Sequence, residues 1–368
     1  MKKKRILIAA GGTGGHFYPG FALAQALKER GWQPLIALKP NGPADKLLED
    51  SGIAAAAVDL EGLPRSLSLK LPRFGFKLVK SAWTARRLVA DFEPNVVLGM
   101  GGYVSVPCLL AARLQGIPIA AHESNAILGL ANKLCRNLGA KIFWGLPPPD
   151  GLKGGETLTG TPIRAELRAP AAPQDRTRRS LGLDPAMTTL LIFGGSQGAQ
   201  ALNKTIPALL KSMAERPSRP LFQVLHVAGE KWLAETRAFY AEVPFKAVVL
   251  PYISAMDQAY GAADVAVCRA GASTLAELFA QKKPAILIPY PHAAADHQSK
   301  NASVFEKIGA ASVVEEKRLS ADLLPVLEPV LQSAEKRRAM SESYSRLALP
   351  ASSQTVPYLV RAVEALAD

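Results

Sequence analysis

Cysteine is scarce in this sequence and carries no pattern. Cys108, Cys135 and Cys268 are odd in number and show no CxxC spacing, which argues against a disulfide framework or a zinc site and fits a reducing cytoplasm. Long apolar runs are missing too. The longest, 96–112, is broken by Gly99, Gly101, Gly102, Ser105 and Pro107 and falls short of the roughly 20 residues of a spanning helix, so membrane contact is expected to be peripheral. The basic start Lys2-Lys-Lys-Arg5 imitates a signal-peptide head. The apolar run behind it, at 6–10, is shorter than the roughly 7–15 residues required and reads as a first strand. Acidic residues are outnumbered, 31 against 44 Lys and Arg, giving a net charge of +13. That excess calls for an anionic partner: nucleic acid, a phosphorylated substrate or an acidic membrane.

What is present describes a folded protein. With 48% hydrophobic and 20% charged residues over 368 positions, the chain suits two domains of about 150–200 residues. In the first half, strand-like runs at 5–10, 34–38, 54–58, 96–99 and 118–121 alternate with helical stretches at 19–30, 44–51, 76–91 and 106–114. A Pro- and Gly-rich stretch at 145–160 interrupts the pattern and marks the expected boundary. Alternation resumes with strands at 188–193, 222–228, 247–250, 265–268 and 285–288, separated by helices at 201–213, 231–241, 255–262, 273–280 and 298–308. Unalternating apolar strands followed by helices imply an α/β protein built of two Rossmann-like, doubly wound parallel sheets. Their glycine loops are expected to flank a central cleft. The domains are set at 1–161, joined by a C-terminal helix at 351–367, and 162–350.

Both halves open with an apolar strand, two glycines and a short polar loop before a helix. Gly11-Gly-Thr-Gly-Gly-His16 could hold an anion on its amides. A dinucleotide fingerprint fails, because the sixth position counted from Gly12 is Phe17 and no acid ends the second strand. A Walker motif is absent as well. In the second half, Cys268-Arg-Ala-Gly-Ala-Ser-Thr-Leu-Ala-Glu277 places small residues at a helix start and a carboxylate about one turn along. This suits a nucleoside diphosphate, with amides for phosphate and Glu277 for ribose hydroxyls. The plain alternative is a capping box made by Ser273, Thr274 and Glu277.

These segments, with Gly102-Tyr-Val-Ser105, His122-Glu-Ser-Asn125, Gly160-Thr-Pro-Ile-Arg164, Gly194-Gly-Ser-Gln-Gly-Ala199 and Asp296-His-Gln298, resemble the MurG family of bacterial N-acetylglucosaminyltransferases (glycosyltransferase family 28), which convert lipid I to lipid II in peptidoglycan synthesis. Ser124 stands where that family usually has Gln, and Val106 where it has Gly. The resemblance implies a GT-B fold and an inverting hexosyltransferase that moves GlcNAc from UDP-GlcNAc to the 4-hydroxyl of the MurNAc-pentapeptide, with no metal and no cofactor. Asp-x-Asp, the metal clamp of the other major glycosyltransferase fold, does not occur. By resemblance, UDP-GlcNAc falls to Thr13, Gly14, Gly15, Asn125, Arg164, Ser196, Tyr252, Ile253, Ala272, Ser273, Thr274, Glu277, His297 and Gln298. The acceptor falls to Gly12, Tyr103 and Ser105, its sugar-pyrophosphate lying against 11–16, Tyr103 and Asn125. His16 suits the general base, since the unperturbed pKa of a histidine side chain is near 6.5, and His122 is the runner-up.

The window 64–90 combines seven basic residues and no acid with aliphatic and aromatic side chains. It suits an anionic lipid interface, docking through Leu71, Phe74, Lys77, Leu78 and Trp83. The expected location is the cytoplasmic face of the bacterial inner membrane, with UDP-GlcNAc, lipid I, anionic lipid and proteins of cell-wall assembly as partners. Nucleic-acid binding is disfavoured because the charge sits beside hydrophobics and no recognised module appears. A nearer rival keeps the fold but acts as another UDP-sugar transferase or a UDP-GlcNAc 2-epimerase.

Overall fold

The computed structural model describes residues 3–11, 14–39, 45–59, 70–168, 172–195 and 198–367, without the side chains of 45, 46, 70–76 and 78. The chain divides into two units, Met1–Ala165 with Leu349–Asp368, and Glu166–Ala348.

The first unit runs β1 (Arg5–Ala9), α1 (Gly14–Glu29), β2 (Gln33–Leu38), α2 (Asp45–Ser51), β3 (Ala54–Ala57), α3 (Lys70–Phe92), β4 (Val96–Gly99), α4 (Ser105–Leu114), β5 (Ile119–Glu123), α5 (Leu130–Asn137), β6 (Lys141–Trp144) and β7 (Thr157–Leu158). Its sheet is parallel in the order β3-β2-β1-β4-β5-β6-β7. Because β1 and β4 are central, the run Ile6-Leu-Ile-Ala9 is buried on both faces. Ile6 and Ile8 enter one core with Phe17, Phe21 and Leu23 of α1, while Leu7 and Ala9 enter a second core with Cys108 and Leu109 of α4. An unalternating apolar strand can be satisfied in no other way. The segment 145–160 lies within this unit, where β7 extends the sheet through Phe143↔Thr157.

The second unit continues with α6 (Ala165–Arg168), α7 (Gln174–Ser180), β8 (Thr189–Phe193), α8 (Gln200–Ala214), β9 (Gln223–Val227), α9 (Leu233–Tyr240), β10 (Ala247–Leu250), α10 (Met256–Ala262), β11 (Val265–Cys268), α11 (Ala272–Gln281), β12 (Ala285–Leu287), α12 (His297–Lys307), β13 (Ala311–Val313), α13 (Leu319–Gln332) and α14 (Ala334–Glu342). Its parallel sheet, β10-β9-β8-β11-β12-β13, repeats the strand order of the first, with β8 and β11 in the middle. The closing helix α15 (Ser352–Ala367) returns to the first unit, where Val356, Leu359, Val360 and Val363 join the α1 core. The helix expected from residue 19 begins at Gly14 instead. Gly14, Gly15 and His16 thereby form the first turn of α1, and Pro19 is carried inside the helix.

Candidate active site

In a parallel sheet the ligand-facing loops follow the carboxyl ends of the central strands, and in each unit the singled-out motifs fall there. In the first unit, His16 stands in the first turn of α1, and its ring rests on the turn after β4. A side-chain carbon at Gly101 (φ 93) would come within 2.9 Å of His16 Cδ2, and one at Gly102 (φ 75) within 2.7 Å of the Gly11 carbonyl. The two glycines are what allow the ring to lie there. Ser105, expected at the acceptor, is instead fully buried, donating to the carbonyls of Gly101 at 2.9 Å and Ala9 at 3.3 Å. It ties the β4–α4 turn to the end of β1. Tyr103 beside it is half-buried. Gly12 and Thr13 lie outside the described residues.

The end of β5 is organised by a carboxylate that sequence reasoning left without a role. Glu123 is buried and accepts from the Asn125 backbone N–H at 3.0 Å, Asn125 Nδ2 at 2.8 Å, the Gly129 N–H at 2.8 Å and Asn132 Nδ2 at 2.9 Å. Asn125 is thus fixed from two sides. The runner-up base, His122, is unsuited to the task. Its Nε2 lies 2.9 Å from the Gly160 carbonyl, which can only accept, so Nε2 carries the hydrogen and Nδ1 accepts from Ser124 Oγ at 3.3 Å. Complete burial pushes its pKa below the usual histidine value. Ser124, the departure from the family pattern, fills a structural place as the partner of that ring. Arg164 holds its guanidinium over the Tyr18 ring at 5.6 Å.

The second unit builds a different kind of site at the start of α11. Gly271 is the cap residue, and no side chain caps the helix. The capping-box alternative therefore fails: Glu277 is the sixth helical residue, and Ser273 Oγ is buried without a hydrogen-bond partner among the described residues. Amides of the first helical turn have no intrahelical acceptor. Glu277, one turn further, accepts from the hydroxyl of Tyr260 at 3.0 Å. Tyr260 is wholly buried on α10 and holds that carboxylate in place.

The turn before α11 is clamped by α12. Gln298 Oε1 accepts from the backbone N–H of Ala270 at 3.2 Å and of Tyr290 at 2.9 Å, and Asn301 Nδ2 donates to the Ala270 carbonyl at 3.2 Å. The carbonyl end of Gln298, expected to meet a sugar, is committed to this scaffold, which leaves its amide NH2 to offer. His297 opens α12 with Nδ1 2.9 Å from the Ala294 carbonyl, so its neutral form presents Nε2 as an acceptor. Ala295 and Asp296 before it are left-handed at φ 52 and 54, a strained backbone that non-glycine residues keep only where their surroundings impose it. Tyr252 is 55% exposed, whereas Ile253 beside it is buried. The loop after β8 contains Gly195 and Gly198 at φ 97 and 72. Ser196 between them lies outside the described residues.

Of the docking residues, Trp83 is 60% exposed on α3 with Arg87 over its ring at 4.8 Å. Val79 is likewise exposed, and Lys77 lies 3.7 Å from Asp59. The side chains of Leu71, Phe74 and Leu78 lie outside the described ones. No described helix is long and apolar enough to cross a membrane.

Residues 6–143 match the glycosyltransferase family 28 N-terminal domain and residues 189–355 the family 28 C-terminal domain. The chain is 38% identical over 352 residues, 95% of its length and 96% of the relative's, to a Pseudomonas fluorescens protein named UDP-N-acetylglucosamine–N-acetylmuramyl-(pentapeptide) pyrophosphoryl-undecaprenol N-acetylglucosamine transferase. It is 40% identical over 354 residues, 95% of each chain, to the protein of that name from Acidithiobacillus ferrooxidans. Among solved structures, Acinetobacter baumannii MurG shares 30% identity at a TM-score of 0.79, with 99% of each chain covered. The calicheamicin glycosyltransferase CalG4 shares the fold at 16% identity and a TM-score of 0.70, over 100% of this chain and 98% of that one.

Proposed function

The chain belongs to glycosyltransferase family 28 and has the GT-B type of fold, two Rossmann-like parallel-sheet domains, and on that premise we propose that it transfers GlcNAc from UDP-GlcNAc to the 4-hydroxyl of the MurNAc-pentapeptide of lipid I, giving lipid II. The observation that carries the reading is the start of α11: amides that no side chain caps, a buried hydroxyl with no partner among the described residues and a carboxylate fixed one turn along. The relatives' printed activity supplies the identity of the two substrates.

In this reading the diphosphate of UDP lies at the amides of Ala272, Ser273 and Thr274, where the helix dipole favours anions, and Ser273 Oγ donates to a phosphate oxygen. Glu277 accepts from the ribose hydroxyls, the uracil meets Tyr252 and the Ile253 backbone, and His297 Nε2 accepts from a GlcNAc hydroxyl. On the acceptor side, the 4-hydroxyl oxygen attacks the anomeric carbon, the bond from that carbon to the phosphate oxygen breaks, and the configuration inverts. His16 takes the hydroxyl proton. Negative charge appearing on UDP is met by the α11 amides, with Arg164 as the assigned cation. Asn125 and Tyr103 line the acceptor. Peripheral docking to anionic lipid falls to the exposed Trp83 face of α3, at the cytoplasmic side of the inner membrane, where lipid I would be reached.

Labelled UDP-GlcNAc incubated with and without lipid I tests the reaction. Acceptor-dependent label in the lipid phase is the expected result, and label retained in nucleotide as an epimer overturns it. His16→Ala should lower kcat by about 10²–10⁴-fold, and unchanged turnover in a folded variant removes His16 from the base role.

A further inference from the structure

Where β6 and β7 begin, the first unit forms an open pocket of about 620 Å³ that the transfer reaction does not use. Its walls carry three cations, Arg136, Lys141 and Lys153, and a single carboxylate, Glu156. That carboxylate is already occupied. Trp144 Nε1 donates to Glu156 Oε2 at 2.9 Å and the Lys153 backbone N–H to the same atom at 3.1 Å, while Arg136 lies 3.7 Å from Oε1. Lys141 and Lys153 are exposed, and neither has an ion pair among the described residues. The pocket therefore gathers three cations against one carboxylate, two of them without an ion pair among the described residues. Its remaining wall is a turn closed by the Glu156 N–H on the Lys153 carbonyl at 3.0 Å. Nothing lies within 4 Å of where a side chain would stand at Gly154 or Gly155, so a ligand can approach that backbone closely.

We propose that this pocket binds a phosphate-class oxyanion. Two ammonium groups act as point charges for a compact, multiply charged anion, and a guanidinium adds paired donors suited to phosphate oxygens. The pocket lies apart from the chemistry. His16, Gly102 and Asn125 follow the carboxyl ends of β1, β4 and β5, whereas Lys141 opens β6 at the other end of the same parallel sheet. A strand of four or five residues separates those ends by about 13–17 Å. An anion held here anchors or tunes the protein and takes no part in the transfer. Free phosphate and a phospholipid headgroup present the same oxyanion. On α5, which contributes Arg136, Leu130 and Leu134 are exposed beside Lys133, a surrounding that a lipid would also tolerate.

The test uses the full chain and the double variant Lys141→Gln with Lys153→Gln, both substitutions being of exposed side chains. Inorganic phosphate is titrated calorimetrically at fixed ionic strength with UDP saturating, so that the nucleotide site is filled. The wild type should show a saturable phosphate site that the double variant loses or binds at least tenfold more weakly, with kcat, the KM for UDP-GlcNAc and thermal unfolding unchanged. A second arm measures retention on phosphatidylglycerol against phosphatidylcholine vesicles. At about a fivefold loss for each basic residue removed near an anionic surface, a headgroup source lowers phosphatidylglycerol binding about twenty-fivefold. Phosphate binding with unchanged vesicle retention assigns the site to the free anion. Absence of a saturable phosphate site, or equal binding by the variant, overturns the proposal. Loss of vesicle binding without a phosphate site overturns it too, since diffuse attraction then suffices.

Discussion

Replacing Ser273 by Ala should stabilise the empty protein and weaken its hold on UDP. The hydroxyl is buried at the second helical position of α11 with no hydrogen-bond partner among the described residues, and an unsatisfied buried polar group costs about 1–3 kcal/mol. Alanine also suits a helix interior better than serine, by a few tenths of a kcal/mol. The expected gain is therefore ~1–2 kcal/mol, or roughly 2–8 °C in the unfolding of a unit of this size. With UDP bound, the same hydroxyl would donate to a charged phosphate oxygen, a bond worth about 1.5–3 kcal/mol. Affinity should fall tenfold to about 150-fold. The two effects meet in one experiment, thermal unfolding across a UDP series. At a UDP concentration 100 times the wild-type Kd, binding adds about 2.7 kcal/mol to the wild type. A variant that binds thirtyfold more weakly gains only about 0.9 kcal/mol. The variant's advantage should therefore vanish near that concentration and reverse above it. A variant that melts earlier than wild type without UDP, or that binds UDP within threefold of it, refutes the reasoning.

Acid should destabilise the second unit through His226, which is buried between Tyr240 and Asn203 and held neutral by desolvation at a pKa of about 3. Because the unfolded chain takes a proton near pH 6.5 and the folded one does not, stability is complete above about 6.5 and declines as pH falls toward 3, by ~2–3 kcal/mol at pH 4.5. Urea midpoints against pH should flatten in His226→Gln, and an unchanged slope assigns the loss elsewhere. Gly198→Ala sets a Cβ 1.9 Å from the Ala228 carbonyl oxygen at φ 72 and should cost about 2–5 kcal/mol. Gly195→Ala, at φ 97 but with open space, should cost only ~1–2 kcal/mol, and equal tolerance of the two in urea titrations contradicts the clash. Val79→Asp with Trp83→Asp, both at exposed positions of α3, should reduce binding to anionic vesicles more than tenfold while leaving stability within about 0.5 kcal/mol. Vesicle binding that survives both changes removes this helix from docking.

How much could be read from the sequence depended on how local each signal was. The central strands were legible because burial on both faces makes Ile6-Leu-Ile-Ala9 and Leu190-Leu-Ile-Phe193 apolar without alternation. Strand β6 was not, since its four residues begin with an exposed Lys141, and neither was α5, whose mean hydropathy is low. The sequence points to a start of α1 at residue 19, five residues late, because two glycines and a histidine are poor helix formers. Their place is fixed from outside, by the turn after β4 on which the His16 ring rests. At α11 a shift of one residue changes the chemistry. With the helix starting at Ala272 rather than Ser273, the serine moves past the cap, and what looked like a capping hydroxyl is left without a backbone partner.

The site's supporting residues were invisible for a different reason, and they bear on how the nucleotide is held. Tyr260 reaches Glu277 across 17 positions, and Gln298 reaches Ala270 across 28. No periodicity encodes such contacts, because packing alone brings the partners together. The same packing disposes of Arg269, the cation inside the nucleotide motif. Its guanidinium pairs with Glu316, donates to the carbonyls of Ile288 at 3.2 Å and Pro289 at 3.4 Å, and lies 5.4 Å from the Tyr290 ring centroid. Both terminal nitrogens of this arginine are thereby engaged inside the protein. In the proposed reading the start of α11 holds a diphosphate through amides, a helix dipole and a hydroxyl, donors whose positions are set before the ligand arrives. In the proposed reaction such donors share with Arg164 the charge that develops on the departing nucleotide. The +13 excess is not spent at the α11 start: 20 of the 44 basic residues against 11 of the 31 acidic ones lie in 1–160, the half of the chain that is proposed to face lipid.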